Sequence, residues 1–311
     1  METTTSSVQE NPVRWNLIHR VMDNPIISKE LKGRMRGRQG FIMLTAYLVL
    51  ISLVIAGVYL YLADDINRST ADPYALQEIG RAVFNTVVMF EILLVVLIGP
   101  ALTSGSISSE RERGTFDLLR TTLLSSRALV FGKLGAAIAY LLLLIFAAVP
   151  LQSLAFFLGG VGLGEMVISL IMLITSTLLF CTMGIYFSGI ARKTSTANAF
   201  TYGTMLIPIV VGGILYFLMT AGDLDLSSAS IELQVIMVVL IWLMLSSNPF
   251  TAALVSEIVL EEEQSLFIFT LSDSNISMTV LSPWIYYTIF SVTLTFLMIW
   301  LIVFYLNRYE R

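Results

Sequence analysis

The sequence predicts an all-α integral membrane protein with six transmembrane helices, and three observations carry that prediction. Hydrophobic residues make up 56% of the 311 and charged residues only 13%, where a soluble domain is about a quarter charged. Mean hydropathy is +0.83. Six runs reach the roughly 20 apolar residues that a helix needs to cross the hydrocarbon. A single soluble core stops growing at about this chain length, so this much apolar sequence has to face lipid.

In order, the spans are Phe41 to Ala63, Val83 to Leu102, Leu134 to Leu158, Met166 to Ile190, Phe200 to Ala221, and one within Val280 to Leu306. The second carries Glu91, and the third contains Pro150, a kink site. The last begins at Ser282-Pro283-Trp284, with Trp284, Tyr286 and Tyr287 suited to one interface and Tyr305 and Tyr309 to the other. About forty residues precede the first run, whereas a cleavable signal has its apolar stretch within the first thirty or so. That run is expected to be a retained anchor. A seventh uncharged stretch, Leu233 to Ser256, is broken at Ser246-Ser247-Asn248-Pro249. It is expected to dip into the membrane as a re-entrant helical hairpin, with a short seventh span as the rival.

Charge sets the orientation. Arg14, Arg20, Lys29, Lys32, Arg34, Arg36 and Arg38 precede the first span, and Arg111, Arg113, Arg120, Arg127 and Lys133 follow the second. Arg192 and Lys193 follow the fourth, and Arg308 and Arg311 end the chain. Only Arg68 and Arg81 remain for the opposite side, and the stretch between Thr220 and Ser282 has eight acids and no base. Both termini are therefore expected in the cytoplasm, with an acidic external segment.

Two polar segments stand out. Asn24 to Arg38, NPIISKELKGRMRGR, opens with a good N-cap and Pro25 at the first helical position. Ile27, Leu31 and Met35 share one face, and bases cover the rest, which makes a basic amphipathic helix for a membrane surface. It serves equally as a plain topology anchor. Ser106 to Lys133 reads SISSERERGTFDLLRTTLLSSRALVFGK. Ser109 with Glu112 has the spacing of a capping box, and Thr115 with Asp117 offers a second helix start after Gly114. Phe116, Leu119 and Leu123 then line one face of a helix too short to cross. Such a helix fits a groove on a cytoplasmic partner or the lipid surface equally well.

Glu91 is the intramembrane candidate, because carboxylates at that depth face protein or water and often serve a pathway. A neutral acid hydrogen-bonded inside the bundle is the alternative reading. Cys181 and His19 are the only cysteine and histidine, which excludes a Cys/His zinc site and a Ser-His-Asp triad within the chain. There is no G-x-x-x-x-G-K-[ST], so the chain has no P-loop for ATP. No catalytic, cofactor-binding or metal site is expected, and no nucleic-acid partner. The absence of an inverted repeat argues against that type of secondary carrier.

The segment ERERGTFDLLRTTLLSSRALVFGK, Glu110 to Lys133, resembles the membrane subunits of ABC-2 type ABC transporters, mostly exporters. NPIISKELKGRMRGR, Ser247-Asn248-Pro249-Phe250 and Leu281-Ser282-Pro283-Trp284 are further echoes. The resemblance implies that Asn24 to Arg38 is an interfacial helix, with Lys29, Glu30, Arg34, Arg36 and Arg38 at its surface. It implies that Glu110 to Leu124 is a coupling helix touching a separate ATPase, through Glu110, Arg111, Glu112, Arg113, Gly114, Thr115, Asp117, Leu118 and Leu119. It implies three partners: an ABC ATPase subunit that binds the ATP, a second copy or related membrane subunit, and the lipids of a cytoplasmic (inner) membrane. The family's usual Thr-Pro-Leu-Ser turn is replaced by Thr122-Leu123-Leu124-Ser125, which leaves the end of that helix less defined. The expected organisation is a cytoplasmic segment 1–40 and one membrane domain 41–311, with a coupling segment 106–133 and an external segment 221–281. An ion-coupled carrier or channel using Glu91 and a membrane-embedded lipid-handling enzyme are the other classes the composition permits.

Overall fold

In a computed structural model of the chain, the described residues are 30, 31, 33, 38–68, 75–115, 126–220, 231–263, 265–273 and 276–309. Within them the order is α1 (Arg38–Arg68), α2 (Ala75–Thr103), α3 (Ser108–Glu112), α4 (Ser126–Phe157), α5 (Leu163–Ile190), α6 (Thr194–Thr220), α7 (Ile231–Ser247), α8 (Pro249–Glu263), β1 (Ile268–Asp273), β2 (Ile276–Leu281) and α9 (Pro283–Tyr309). Six of these helices are long and apolar enough to cross a membrane: α1, α2, α4, α5, α6 and α9. They overlay the six expected spans, with ends that differ by up to about eight residues. The end of the bundle holding the N-terminus of α1 and the C-terminus of α2 carries most of the bases, and is called the basic end below. The opposite one is the acidic end.

The bundle is built around α5. Two-thirds of its most apolar stretch is buried (67%), against 11% for α1. Lipid is as apolar as leucine, so helices in it associate through close packing of small residues and shared hydrogen bonds. A Cβ on Gly184 would sit 2.0 Å from Thr103 Oγ1 of α2, and one on Gly189 would sit 2.2 Å from Ile302 Cδ1 of α9. Glycine at these two places lets both neighbours reach the α5 backbone. The hydroxyls along α5 are satisfied within it: Thr175, Ser176, Thr177 and Thr182 donate to the carbonyls of Ile171, Met172, Leu173 and Leu178 at 2.6–2.9 Å. Ser176 also meets the hydroxyl of fully buried Tyr287 on α9 at 2.7 Å.

The expected break near Asn248 is present, and the chain turns there by 110°. Asn248 Oδ1 accepts from Phe250 N at 3.0 Å, capping α8, with Pro249 at the first helical position. Asn248 Nδ2 donates to Ile209 O of α6 at 3.0 Å, and Gly212 leaves the room, since a Cβ there would lie 2.5 Å from that nitrogen. The turn thus sits at the middle of α6, while Glu261 at the far end of α8 pairs with Arg81 near the start of α2 at 2.8 Å. The pair bends as a re-entrant hairpin or a broken span does, with its α8 end at the acidic end.

One element was not foreseen. β1 and β2 form an antiparallel hairpin, Ile268 opposite Leu281 through Asp273 opposite Ile276. Its base is tied to α9 by Ser282 N to Phe267 O at 3.0 Å and Trp284 Nε1 to Leu266 O at 2.7 Å.

The turn between α4 and α5 packs against α2 backbone to backbone. A Cβ on Gly160 would lie 2.1 Å from Gln77 O and 2.5 Å from Arg81 N. Neither atom can move without displacing α2. Gly160→Ala is therefore expected to destabilise the fold by about 1–3 kcal/mol and to lower the thermal midpoint of the detergent-solubilised protein. Gly162→Ala, with nothing within 4 Å of the added carbon, is the control. Equal midpoints for the two variants would refute this account of the turn.

Candidate functional site

At the basic end α2 does not stop cleanly. The chain turns at Ser104–Ile107 and continues into α3. The Ser109–Glu112 capping box does not form: Ile107 is the N-cap residue and no side chain caps there. Because α3 continues from the turn that ends α2, its first amides look to another helix. Ser188 Oγ of α5 accepts from Ile107 N at 2.9 Å and Ser108 N at 3.0 Å. Glu112 is spent elsewhere, accepting from Thr194 N at 3.0 Å and Thr194 Oγ1 at 2.8 Å at the start of α6.

The other end of α3 explains the glycine of the E-R-E-R-G-T run. Gly114 has φ +69, a conformation that costs other residues about 1–2 kcal/mol. Thr115 N donates to Glu110 O at 3.0 Å and Gly114 N to Arg111 O at 3.1 Å. These are the two bonds of a Schellman cap. Thr115 Oγ1 reaches the same Glu110 carbonyl at 3.2 Å.

Lys133 of α4 holds the turn from the third side. Its Nζ lies 2.7 Å from Glu110 Oε1 and 2.8 Å from Ser106 O, and 3.7 Å from Glu30 Oε1. At 6% exposure a lysine needs such partners to remain charged. Arg111 Nη1 donates to Ala191 O between α5 and α6 at 3.2 Å, and Ser104 Oγ to Asn198 Oδ1 of α6 at 2.5 Å. Ile107 is fully buried among residues of α1, α2, α4, α5 and α9. The segment is thus held by α4, α5, α6 and the residue-30 region together. Arg113, Gly114 and Thr115 are left exposed.

The structure therefore brings together Glu110, Arg111, Glu112, Arg113, Gly114 and Thr115, and sets Glu30 beside them through Lys133. Arg38 is exposed at the start of α1. Lys29, Arg34, Arg36, Asp117, Leu118 and Leu119 lie outside the described residues. Glu91 stands apart, 1% exposed in the middle of α2. Gln152 Nε2 of α4 donates to its Oε2 at 2.6 Å. Gln152, the amide in an otherwise apolar span, was a readable signal that sequence reasoning passed over. Ser188 and Thr194 were missed too, and hydroxyls on apolar helices are too common to single out.

A helical bundle with one end turn tied to several of its spans defines a multi-span membrane subunit with a built surface at that end. Residues 24–309 match the family described as ABC-2 family transporter protein, and the chain belongs to that family. It is a multi-pass membrane protein of the permease type, and permeases of this family normally work with an ABC ATPase subunit. Among curated proteins, none matches the chain.

Lys133→Met leaves Glu110, Glu30 and the Ser106 carbonyl without their cation. Breaking a fully buried pair costs about 3–5 kcal/mol, and Glu110 is 23% exposed, so a loss of roughly half that is expected. Hydrogen exchange should quicken at the amides of 106–112 and stay unchanged along α9. Unaltered exchange at 106–112 would show that Lys133 does not hold the turn.

Proposed function

We propose that this chain is one membrane half of an ABC exporter in a cytoplasmic membrane, with both termini inside. The acidic end faces out, and a second copy or related chain completes the pathway. A separate ATPase subunit binds the ATP, and this chain itself has no catalytic activity or cofactor. The single membrane domain is 41–311, the coupling segment is 106–133, and the ATPase seats on the exposed Arg113-Gly114-Thr115 edge and the residues that follow. The observation that supports this most is the fixing of Ser104–Thr115 to α4, α5 and α6 at once. A push on a floppy loop would be lost in the loop. A push on this turn is delivered to four spans, α2 included. In this reading Glu110 and Glu112 position the segment rather than greet the partner, because Glu110 Oε1 is held by Lys133, its Oε2 is buried, and both Glu112 oxygens are held by Thr194.

Isolation of the chain from its native membrane in a gentle detergent tests the reading. A stoichiometric partner carrying G-x-x-x-x-G-K-[ST] is expected, and its yield should fall in Glu110→Ala and Glu112→Ala. Recovery of the chain with no nucleotide-binding partner would overturn the ATPase coupling. ATP hydrolysis by the chain alone would overturn the absence of catalysis.

Glu91 separates this reading from an ion-coupled carrier. Gln152 needs only an acceptor from it, and a glutamine side chain supplies one. Glu91→Gln is expected to leave transport within about twofold of wild type, while Glu91→Leu strands the Gln152 amide at a cost of about 1–3 kcal/mol. Abolished transport in Glu91→Gln, with ATPase stimulation intact, would favour the carrier.

A further inference from the structure

A small cavity near the acidic end lies between α2, α5 and α8 and takes no part in the coupling site. It has room for one water-sized group, ≈ 20 Å³. Its polar lining is Asn85 of α2, Glu165 and Ser169 of α5, and Ser256 and Glu257 of α8. Phe84, Met172 and Leu260 form part of its apolar wall. Arg81 is close by, but its guanidinium is already engaged: Nη1 with Glu261 at 2.8 Å, Nε with Gly160 O at 3.2 Å, and Nη2 at 3.7 Å from Glu165. Asn85 and Glu257 share the cavity wall.

Two residues that line this space each carry a buried oxygen without a hydrogen-bond partner, Glu257 Oε1 and Ser256 Oγ. Ser256 is 2% exposed, too deeply buried for bulk water to serve it. Buried polar atoms rarely stay unpaired, since each costs about 1–3 kcal/mol. Arg81 is the one base beside Glu165, Glu257 and Glu261, and it already pairs with Glu261 and approaches Glu165. Both orphan atoms can accept.

We propose that this cavity binds a single small monovalent cation, an alkali ion or a primary ammonium, held by Glu257 Oε1 and Ser256 Oγ. A divalent ion does not suit it: the oxygens without a partner are one from a carboxylate and one from a hydroxyl, a weak field for such an ion. Because the ligands sit on α8 and the opposite wall on α2 and α5, occupancy fastens the re-entrant pair to the core of the bundle. The inference is independent of any ATPase.

The test uses the purified full chain in detergent. Thermal midpoints are measured in sodium, potassium and ammonium chloride, at an ionic strength held constant with N-methyl-D-glucamine chloride. A saturable rise with at least one of the three small cations is expected, and Glu257→Gln should need at least about tenfold more of it, a loss of about 1.4 kcal/mol in binding. A rise with ammonium alone identifies an amine, and a rise with an alkali ion identifies the ion. Should Glu257→Gln fail to fold, Ser256→Ala carries the same comparison. Identical midpoints in all four salts, or a cation response that the variant retains in full, would overturn the site. Neither result touches the permease reading, which rests on recovery of the partner ATPase.

Discussion

Hydrocarbon offers no hydrogen-bond partner, so each polar group inside a membrane bundle must find one on a neighbouring helix or on its own backbone. Among the described residues, α2 takes part in polar contacts at three levels. At the acidic end Arg81 of α2 joins the α4–α5 turn, α5 and α8. At mid-depth Glu91 takes the amide of Gln152 on α4. At the basic end the continuation of α2 into α3 is met by α4, α5 and α6. Between these levels most contacts are apolar, with single bonds such as Tyr202 Oη to Leu97 O and Ser176 Oγ to Tyr287 Oη. At the levels themselves a displacement must break specific bonds. The helix that links all three is thus the element through which movement at one end reaches the other.

Stiffness at the basic end follows from local chemistry. A glycine in the left-handed conformation closes α3 with two backbone bonds, so the segment ends in a fixed direction instead of fraying. Its opposite end borrows a hydroxyl from α5 in place of a cap of its own. The acids of the E-R-E-R run then lock sideways, Glu110 to α4 and Glu112 to α6. Glu110, Arg111 and Glu112 thus hold the turn to its neighbours, while Arg113 to Thr115 stay exposed.

The spans were legible because length, lack of charge and flanking bases are all local properties of a helix in lipid. The re-entrant break was legible for a similar reason: Asn248-Pro249 is a helix start wherever it occurs, and here it interrupts an apolar run. The β-hairpin was not, since Ile268 to Leu281 is short and neighbours a long apolar span that dominates any hydropathy reading. In the candidate site the segment was legible and its bonding was not. Ser109 and Glu112 have the spacing of a capping box, yet Glu112 turns to Thr194, some eighty residues away. Spacing reports what a helix can do alone, whereas the partner of an acid at a helix end is decided by which other helix arrives there. Lys133 illustrates the same limit: its charge was counted in the orientation argument, and its burial against Glu110 emerges only in three dimensions.

The re-entrant pair extends this reasoning to the acidic end. Its turn is fixed to α6 at mid-depth through Asn248 and Ile209, and its far end is fixed to α2 through Glu261 and Arg81. These two anchors are of different kinds. The first is a neutral hydrogen bond seated where a glycine leaves room, shielded from water and salt. The second pairs Arg81 with a carboxylate that is 58% exposed, so it is screened and individually weak. Any separation of α2 from α6 at this end therefore breaks the ionic contact first and leaves the turn in place. Ala252, Ser256 and Val259 of α8 are buried in the bundle, so whatever binds between α8 and α2 adds to how firmly that face is held.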